Sequence, residues 1–92
     1  MAYEVRYSEM AVAQLRKLRA LERSAIFDQI GKVLLVAPTK TSKTTVKRLR
    51  EPAPTQYRLR VGEYRIFYDV EANVVSIIQI LSKEDSIRFL GD

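Results

Sequence analysis

The charged side chains best placed for chemistry lie in one alternating segment, residues 56–68, which carries three arginines. In its middle, Gly62-Glu63 predicts a two-residue type II′ turn, because glycine suits the first central position of that turn. The turn makes the segment a β-hairpin and fixes its register. Side chains alternate between the two faces of a strand, so the three arginines and one aromatic residue share a face. These four residues are Arg58, Arg60, Arg65 and Phe67.

The register places Arg60 directly opposite Arg65, and like charges in that position destabilise a strand pair. Two cations ~5 Å apart repel by about 1 kcal/mol in water and by roughly 3 kcal/mol at an effective dielectric constant of about 20. A bound anion relieves this repulsion, and arginine forks onto two phosphate oxygens. Phe67 and Phe89 add two candidate platforms for base stacking. The face therefore predicts single-stranded RNA as a ligand, the alternative being that the arginines simply extend into water.

The other face of the hairpin is apolar and must be covered. Residues 3–7 alternate as a short strand, and Ser8 is a candidate N-cap for a first helix over residues 9–20. Apolar residues spaced at i, i+4, i+7 and i+8 predict a second helix over residues 22–36, which Pro38 ends. Both helices are expected to pack against the sheet.

The remaining segments complete the predicted sheet. Residues 38–45 are typical of a mobile surface loop, and residues 46–50 form a short basic segment that leads into the sheet. The β-branched run at 74–81 predicts a central strand buried on both faces, with its register open because a turn of two or three residues fits. The tail, residues 83–90, is expected to be a short helix or turn that lays Ile87 or Phe89 against the rest. The predicted fold is α+β, with a helical hairpin on one face of a small, mainly antiparallel sheet in the order strand-helix-helix-strand-strand-strand, as one domain over residues 1–92.

Composition limits the function further. Sixteen Lys and Arg against eleven Asp and Glu give a net charge of +5, which favours nucleic acid, an anionic membrane surface or an acidic protein as partner. The chain has no cysteine and no histidine, which excludes disulfides, thiolate metal sites and histidine-based catalysis, so neither a cofactor nor a metal is expected. No segment resembles a leader or approaches the ~20 apolar residues of a membrane span. We expect a soluble, cytoplasmic protein without a membrane partner.

The hairpin sequence YRLRVGEYRIFY, residues 57–68, closely resembles the pattern YRLRVGDYRVIY of the RelE/ParE toxin superfamily of bacterial and archaeal toxin–antitoxin modules. The first strand with its cap, the helical pair and Lys47-Arg48-Leu49-Arg50 extend the resemblance over essentially the whole chain. This superfamily contains ribosome-dependent RNA endonucleases and inhibitors of DNA gyrase. The compact helical pair and the basic central strand favour the RelE branch, which implies cleavage of messenger RNA in the ribosomal decoding site.

The resemblance also implies which residues carry the chemistry. Arg58, Arg60 and Arg65 match the basic positions of the central strands and are predicted to be catalytic. Lys83 stands where the family often has a basic pair, and an amine crowded by cations can act as a general base or acid. Phe89 stands where a tyrosine is expected, and a phenyl ring cannot transfer a proton.

Other basic and aromatic residues of the same regions are predicted to bind RNA. They are Lys47, Arg48, Arg50, Phe67, Arg88 and Phe89. The resemblance implies two partners, mRNA on the ribosome and a cognate acidic antitoxin in a hetero-oligomeric complex, bound as an amphipathic helix in a groove or as an added strand. Two alternatives stay open: a ParE-like inhibitor of DNA gyrase, and a catalytically weak antitoxin-binding module.

Overall fold

A computed structural model describes residues 2–90. The elements in chain order are β1 (Glu4–Tyr7), α1 (Glu9–Lys17), α2 (Ala20–Gln29), a π-helical turn (Ile30–Leu34), β2 (Val46–Arg48), β3 (Tyr57–Val61), β4 (Tyr64–Glu71), β5 (Val74–Ser82) and α3 (Lys83–Phe89). The strands form one sheet in the order β1-β5-β4-β3-β2, with β1 parallel to β5 and the other neighbours antiparallel. The predicted α+β fold class is confirmed, and β2 is a strand that the sequence did not predict.

The helical hairpin breaks earlier than predicted. Ser8 is the N-cap of α1, since its hydroxyl accepts a hydrogen bond from the backbone N–H of Ala11 at 3.0 Å. The helix ends at Lys17 rather than at residue 20, and α2 starts at residue 20 rather than at 22. Arg23 of α2 explains the break, because its guanidinium donates to the carbonyls of Leu15 and Leu18 at 3.0 and 2.8 Å and satisfies the open end of α1.

The main core lies between these helices and one face of the sheet. Apolar side chains of both layers are excluded from water there, which is the dominant stabilising contribution to a domain of this size. The fully or almost fully buried members include Leu15, Ile26, Ile30, Leu34, Leu59, Ile66, Tyr68, Val75 and Ile77. One buried polar group is satisfied by a loop, since the hydroxyl of Tyr68 donates to the carbonyl of Pro38 at 2.6 Å.

Helix α1 also completes the edge of β5. Strand β1 ends opposite Ile77, so the next backbone groups of β5 have no strand neighbour on that side. The hydroxyl of Ser8 donates to the carbonyl of Ile78 at 2.7 Å, and the amide oxygen of Gln14 accepts from the N–H of Ile80 at 2.6 Å. Two side chains thus replace the missing strand, as buried backbone groups require.

The two tight turns differ in their residues. Gly62 has φ +55°, the left-handed conformation that the first position of the predicted β3–β4 turn needs. The β4–β5 turn is the two-residue loop Ala72-Asn73, since Glu71 pairs with Val74, and this resolves the register that the sequence left open. Ala72 has φ +53°, which is strained for a residue with a Cβ. No helix within residues 2–90 is long and apolar enough to cross a membrane.

Candidate nucleic-acid interface

The hairpin register is as predicted, with Arg60 opposite Arg65 and Arg58 opposite Phe67. Strand β2 adds a third neighbour, because Lys47 pairs with Arg58 on the face that points away from α1 and α2. The backbone N–H of Arg60 donates to the carbonyl of the residue before β2 at 2.9 Å, which continues this alignment. Three cations, Lys47, Arg58 and Arg60, therefore lie on neighbouring positions of β2 and β3.

The arginine face is partly covered by the C-terminal tail, which confirms the predicted short helix that lays Phe89 against the rest. Ser82 is the N-cap of α3, because its hydroxyl accepts a hydrogen bond from the N–H of Asp85 at 3.1 Å. The helix then turns back over β4 and β5. Its last residue, Phe89, packs edge-on against Phe67 with 4.9 Å between ring centroids. Phe67 is fully buried, so its predicted role as a base-stacking platform is wrong, because its ring is covered. Phe89 remains partly exposed, and Ile87 points to solvent.

Arg65 is also buried, with 5% of its surface exposed. Its guanidinium donates to the carbonyls of Gly62 and Tyr64, both at 2.9 Å, so it braces the hairpin turn. Burial lowers the pKa of Arg65, and the nearby charges of Arg60 and Arg58 lower it further. Only Nη1 of Arg65 is engaged by these carbonyls, and with 5% of its surface exposed the residue supports the hairpin turn, so its predicted catalytic role stays a prediction.

Arg58 faces a pocket of about 460 Å³ beside β2, called here the Arg58 pocket. Its Nε is buried and has no hydrogen-bond partner among the described residues. Burial lowers the pKa of Arg58, and the charge of Arg60 lowers it further. Among the residues that the structure describes, four cations and no carboxylate line the pocket: the lining is Lys47, Arg48, Leu49, Arg50, Pro52, Ala53, Arg58 and Leu90. An anion in this pocket would accept from the guanidinium of Arg58 and offset the repulsion among the cations.

Of the other predicted site residues, Arg48 lines the Arg58 pocket but stacks its guanidinium on Tyr57, and Arg88 and Lys83 lie elsewhere. The guanidinium of Arg48 stacks over the ring of Tyr57 at 4.9 Å from its centroid, a cation–π contact on the helix side of the sheet. Arg88 pairs with Asp85 on the surface of α3. Lys83 begins α3 beside the hairpin turn, and its backbone N–H donates to the carbonyl of Glu63 at 2.8 Å.

Lys83 and Arg58 lie at different positions along the direction of the strands. Lys83 follows Ser82, which pairs with Tyr64, whereas Arg58 pairs with Phe67. Three residues along β4 separate these levels by about 10 Å. The structure therefore brings together Lys47, Arg50, Arg58 and Arg60, and leaves Lys83 at the other end of the hairpin.

Sequence reasoning missed the two apolar walls of the Arg58 pocket. Leu49 is 7% exposed, and Leu90 lies just beyond the end of α3. For Leu49 the available signal was its position between Arg48 and Arg50, which indicates a side chain turned inward from a charged surface; Leu90 has no such flanking cations. Within residues 2–90 no three His, Cys, Asp or Glu side chains are grouped closely enough to hold a metal ion.

A second surface lies on the opposite, helical side of the molecule. An apolar groove of about 430 Å³ runs between α1 and α2 next to β1, with Arg16 and Arg23 at its rim. The ring of Phe27 packs edge-on against Tyr7 at 6.2 Å between centroids and is still 46% exposed. Val12 and Leu15 form the other walls of the groove. The groove can accommodate apolar side chains of a partner segment, with acidic groups at the rim.

A helical hairpin on one face of a mixed five-stranded sheet, with a short helix across the other, is the architecture of the RelE-like toxins. The chain superposes on the toxin–antitoxin complex RelBE2 of Mycobacterium tuberculosis with a TM-score of 0.76 and 24% identity, over 89% of this chain and 99% of that one. It superposes on the RelE–RelB complex of Pyrococcus horikoshii OT3 with a TM-score of 0.73 and 24% identity, over 90% of this chain and 97% of that one. It superposes on free E. coli RelE carrying two arginine-to-alanine substitutions with a TM-score of 0.71 and 26% identity, over 95% of this chain and 90% of that one.

The sequence itself identifies the family. Residues 5–87 match the model of the ParE toxin of the type II toxin–antitoxin system parDE. The chain therefore belongs to the RelE/ParE superfamily and is a toxin of a type II toxin–antitoxin system. A search of curated proteins by sequence finds no match.

Proposed function

We propose that this toxin binds RNA phosphates in the Arg58 pocket and cleaves messenger RNA on the ribosome, which inhibits translation in the cytoplasm. The observation that carries the proposal is the buried Nε of Arg58, which has no partner among the described residues in a pocket lined by four cations and no carboxylate. Placing such a group inside a protein costs about 1–3 kcal/mol unless a ligand satisfies it. A phosphate group has the charge and the acceptors to do so.

Cleavage of RNA by this route needs no metal or cofactor. The ribose 2′-oxygen loses its proton and attacks the adjacent phosphorus, the bond from phosphorus to the 5′-oxygen breaks, and the 5′-oxygen takes up a proton. The products are a 2′,3′-cyclic phosphate and a 5′-hydroxyl. Arg58 and Arg60 stabilise the charge that develops on the phosphoryl oxygens. Lys47, beside Arg58, is better placed to transfer a proton than Lys83, which lies at the other end of the hairpin.

The same proposal includes an acidic antitoxin as partner. The M. tuberculosis, P. horikoshii and Methanococcus jannaschii neighbours are complexes of toxin with antitoxin. The groove beside Phe27 supports a partner with apolar side chains, and the net charge of +5 supports an acidic one. We expect a complex that persists at about 0.5 M salt, because screening weakens its ionic part and leaves its apolar part. A complex that forms only at low salt would contradict this.

Inhibition of DNA gyrase is the second candidate function. It is supported by the family model, which describes the ParE toxin, and by the side chain at position 89, where phenylalanine offers no proton for RNA cleavage. A cationic pocket that binds phosphate serves contact with DNA as well as contact with RNA.

Expression of the chain without an antitoxin separates these functions. We expect growth arrest, loss of protein synthesis and new mRNA 5′ ends within translated regions, detected by primer extension. Intact mRNA together with accumulated gyrase–DNA cleavage complexes would refute RNA cleavage in favour of gyrase inhibition. Normal growth of cells that contain the folded protein would refute both activities and leave the catalytically weak antitoxin-binding module as the remaining alternative.

A further inference from the structure

The loop of residues 38–45, just before β2, carries Lys40 and Lys43 on its surface. We propose that these two lysines extend the RNA-binding surface beyond the Arg58 pocket, by contacting phosphates of the same RNA strand outside the pocket. This inference rests on the proposed function and adds a second contact region to it. The sequence predicted a mobile loop here, without a role in binding.

The structure holds this loop at both ends. At its start, the carbonyl of Pro38 accepts the hydrogen bond from the buried hydroxyl of Tyr68. At its end, the hydroxyl of Ser42 accepts from the N–H of Thr45 at 2.9 Å, and the N–H of Ser42 donates to the carbonyl of Val46 at 3.0 Å. Such hydrogen bonds give the backbone of the loop a defined path, so this backbone loses less entropy on binding than that of a free loop would.

The loop also leads through β2 to the Arg58 pocket. The carbonyl of Thr45 accepts from the N–H of Arg60 at 2.9 Å, and two residues further Lys47 lines the pocket. Residues 38–50 contain five cations and no acidic residue. A strand of RNA that leaves the pocket along β2 toward Val46 runs toward this loop, where Lys40 lines a separate groove together with Lys32.

Within residues 2–90 no ion pair involves the cations of this region. Every ion pair among residues 2–90 lies elsewhere: Arg6 with Glu4, Arg19 with Glu22, Lys32 with Asp28, and Arg88 with Asp85. Exposed lysines without a carboxylate partner attract a polyanion, and its binding releases counterions from the nucleic acid. Hydroxyls interspersed with these lysines add further donors to phosphate oxygens.

The number of phosphate contacts can be measured from salt dependence. The probe is a fully 2′-O-methylated RNA of about 16 nucleotides, the upper end of common site sizes for single-strand binding. It has no free 2′-hydroxyl and cannot be cleaved by the proposed reaction. Fluorescence anisotropy gives the binding constant as a function of salt, and each phosphate contact contributes about −0.7 to the slope of log K against log salt.

We expect Lys40→Gln/Lys43→Gln to make that slope less negative by about 1.4, since two contacts are lost. The matched control is Lys17→Gln/Arg19→Gln, which removes the same charge from exposed positions at the junction of α1 and α2, on the other side of the sheet, and its slope should equal that of the wild type. An unchanged slope in the loop variant, or an equal change in both variants, would overturn the loop assignment alone. Wild-type protein that fails to bind the probe, or that binds it equally well after Arg58→Met, would overturn the proposed function.

Discussion

Replacing Arg58 by methionine should stabilise the free toxin and inactivate it at the same time. The substitution removes a buried donor without a partner among the described residues and retains most of the apolar stem. An unsatisfied buried donor costs about 1–3 kcal/mol, so we expect a gain of at least about 1 kcal/mol in the free energy of unfolding. For a domain of 60–100 residues this raises Tm by about 4–8 °C. Loss of a charge-stabilising group should lower the rate of RNA cleavage by ~10²-fold or more.

Thermal unfolding monitored by circular dichroism, together with toxicity in cells, provides the assay. The control is Arg6→Met on the edge strand β1, where the side chain is exposed and pairs with Glu4 at 2.6 Å. Exposed pairs contribute little, so this control should change stability by no more than about 0.5 kcal/mol and leave toxicity intact. Inorganic phosphate should raise the Tm of the wild type more than that of Arg58→Met, because ligand binding to the native state stabilises it. A lower Tm with full toxicity would show that Arg58 is structural and refute the reasoning.

Four further substitutions test the scaffold. Gln14→Leu should cost about 1–3 kcal/mol in urea unfolding, because the N–H of Ile80 loses its acceptor; a neutral result would show that water replaces it. Ala72→Gly should raise the free energy of unfolding by up to about 1 kcal/mol, because glycine adopts a positive φ without strain. Gly62→Ala should lower it by about 1 kcal/mol through backbone strain alone, since a Cβ there meets no atom within 4 Å. Equal effects of the two substitutions would contradict the role of positive φ. Arg65→Ala should lower Tm by freeing two turn carbonyls, with activity per folded molecule retained; lost activity at unchanged Tm would return this residue to the catalytic group.

The hairpin could be predicted in full because its information is local. A glycine at the turn and strict alternation on both sides determine which residues pair, and tertiary contacts do not alter that register. The break between α1 and α2 could not be predicted in the same way. It depends on Arg23 reaching two carbonyls of the preceding helix, a contact that no periodicity encodes.

The candidate site was predictable in composition and not in exposure. Alternation assigned Arg58, Arg65 and Phe67 to one face, but a seven-residue helix at the end of the chain decides which of them water can reach. Strand β2 was missed because only three residues form it, too few to show alternation. As a result, the pairing of Lys47 with Arg58, which creates the Arg58 pocket, became visible only in the structure.

The parallel pairing of β1 with β5 has a consequence for the order of folding. Glu4 pairs with Val74, a separation of 70 residues, and the polar contacts of Ser8 and Gln14 with β5 span similar distances. Contacts of such high sequence separation form late, because the chain entropy lost in closing the loop comes first. During synthesis, the first strand and helix must therefore wait for the last strand to leave the ribosome. We expect nascent chains stalled before residue 74 to be degraded readily by protease and to become resistant once β5 has emerged.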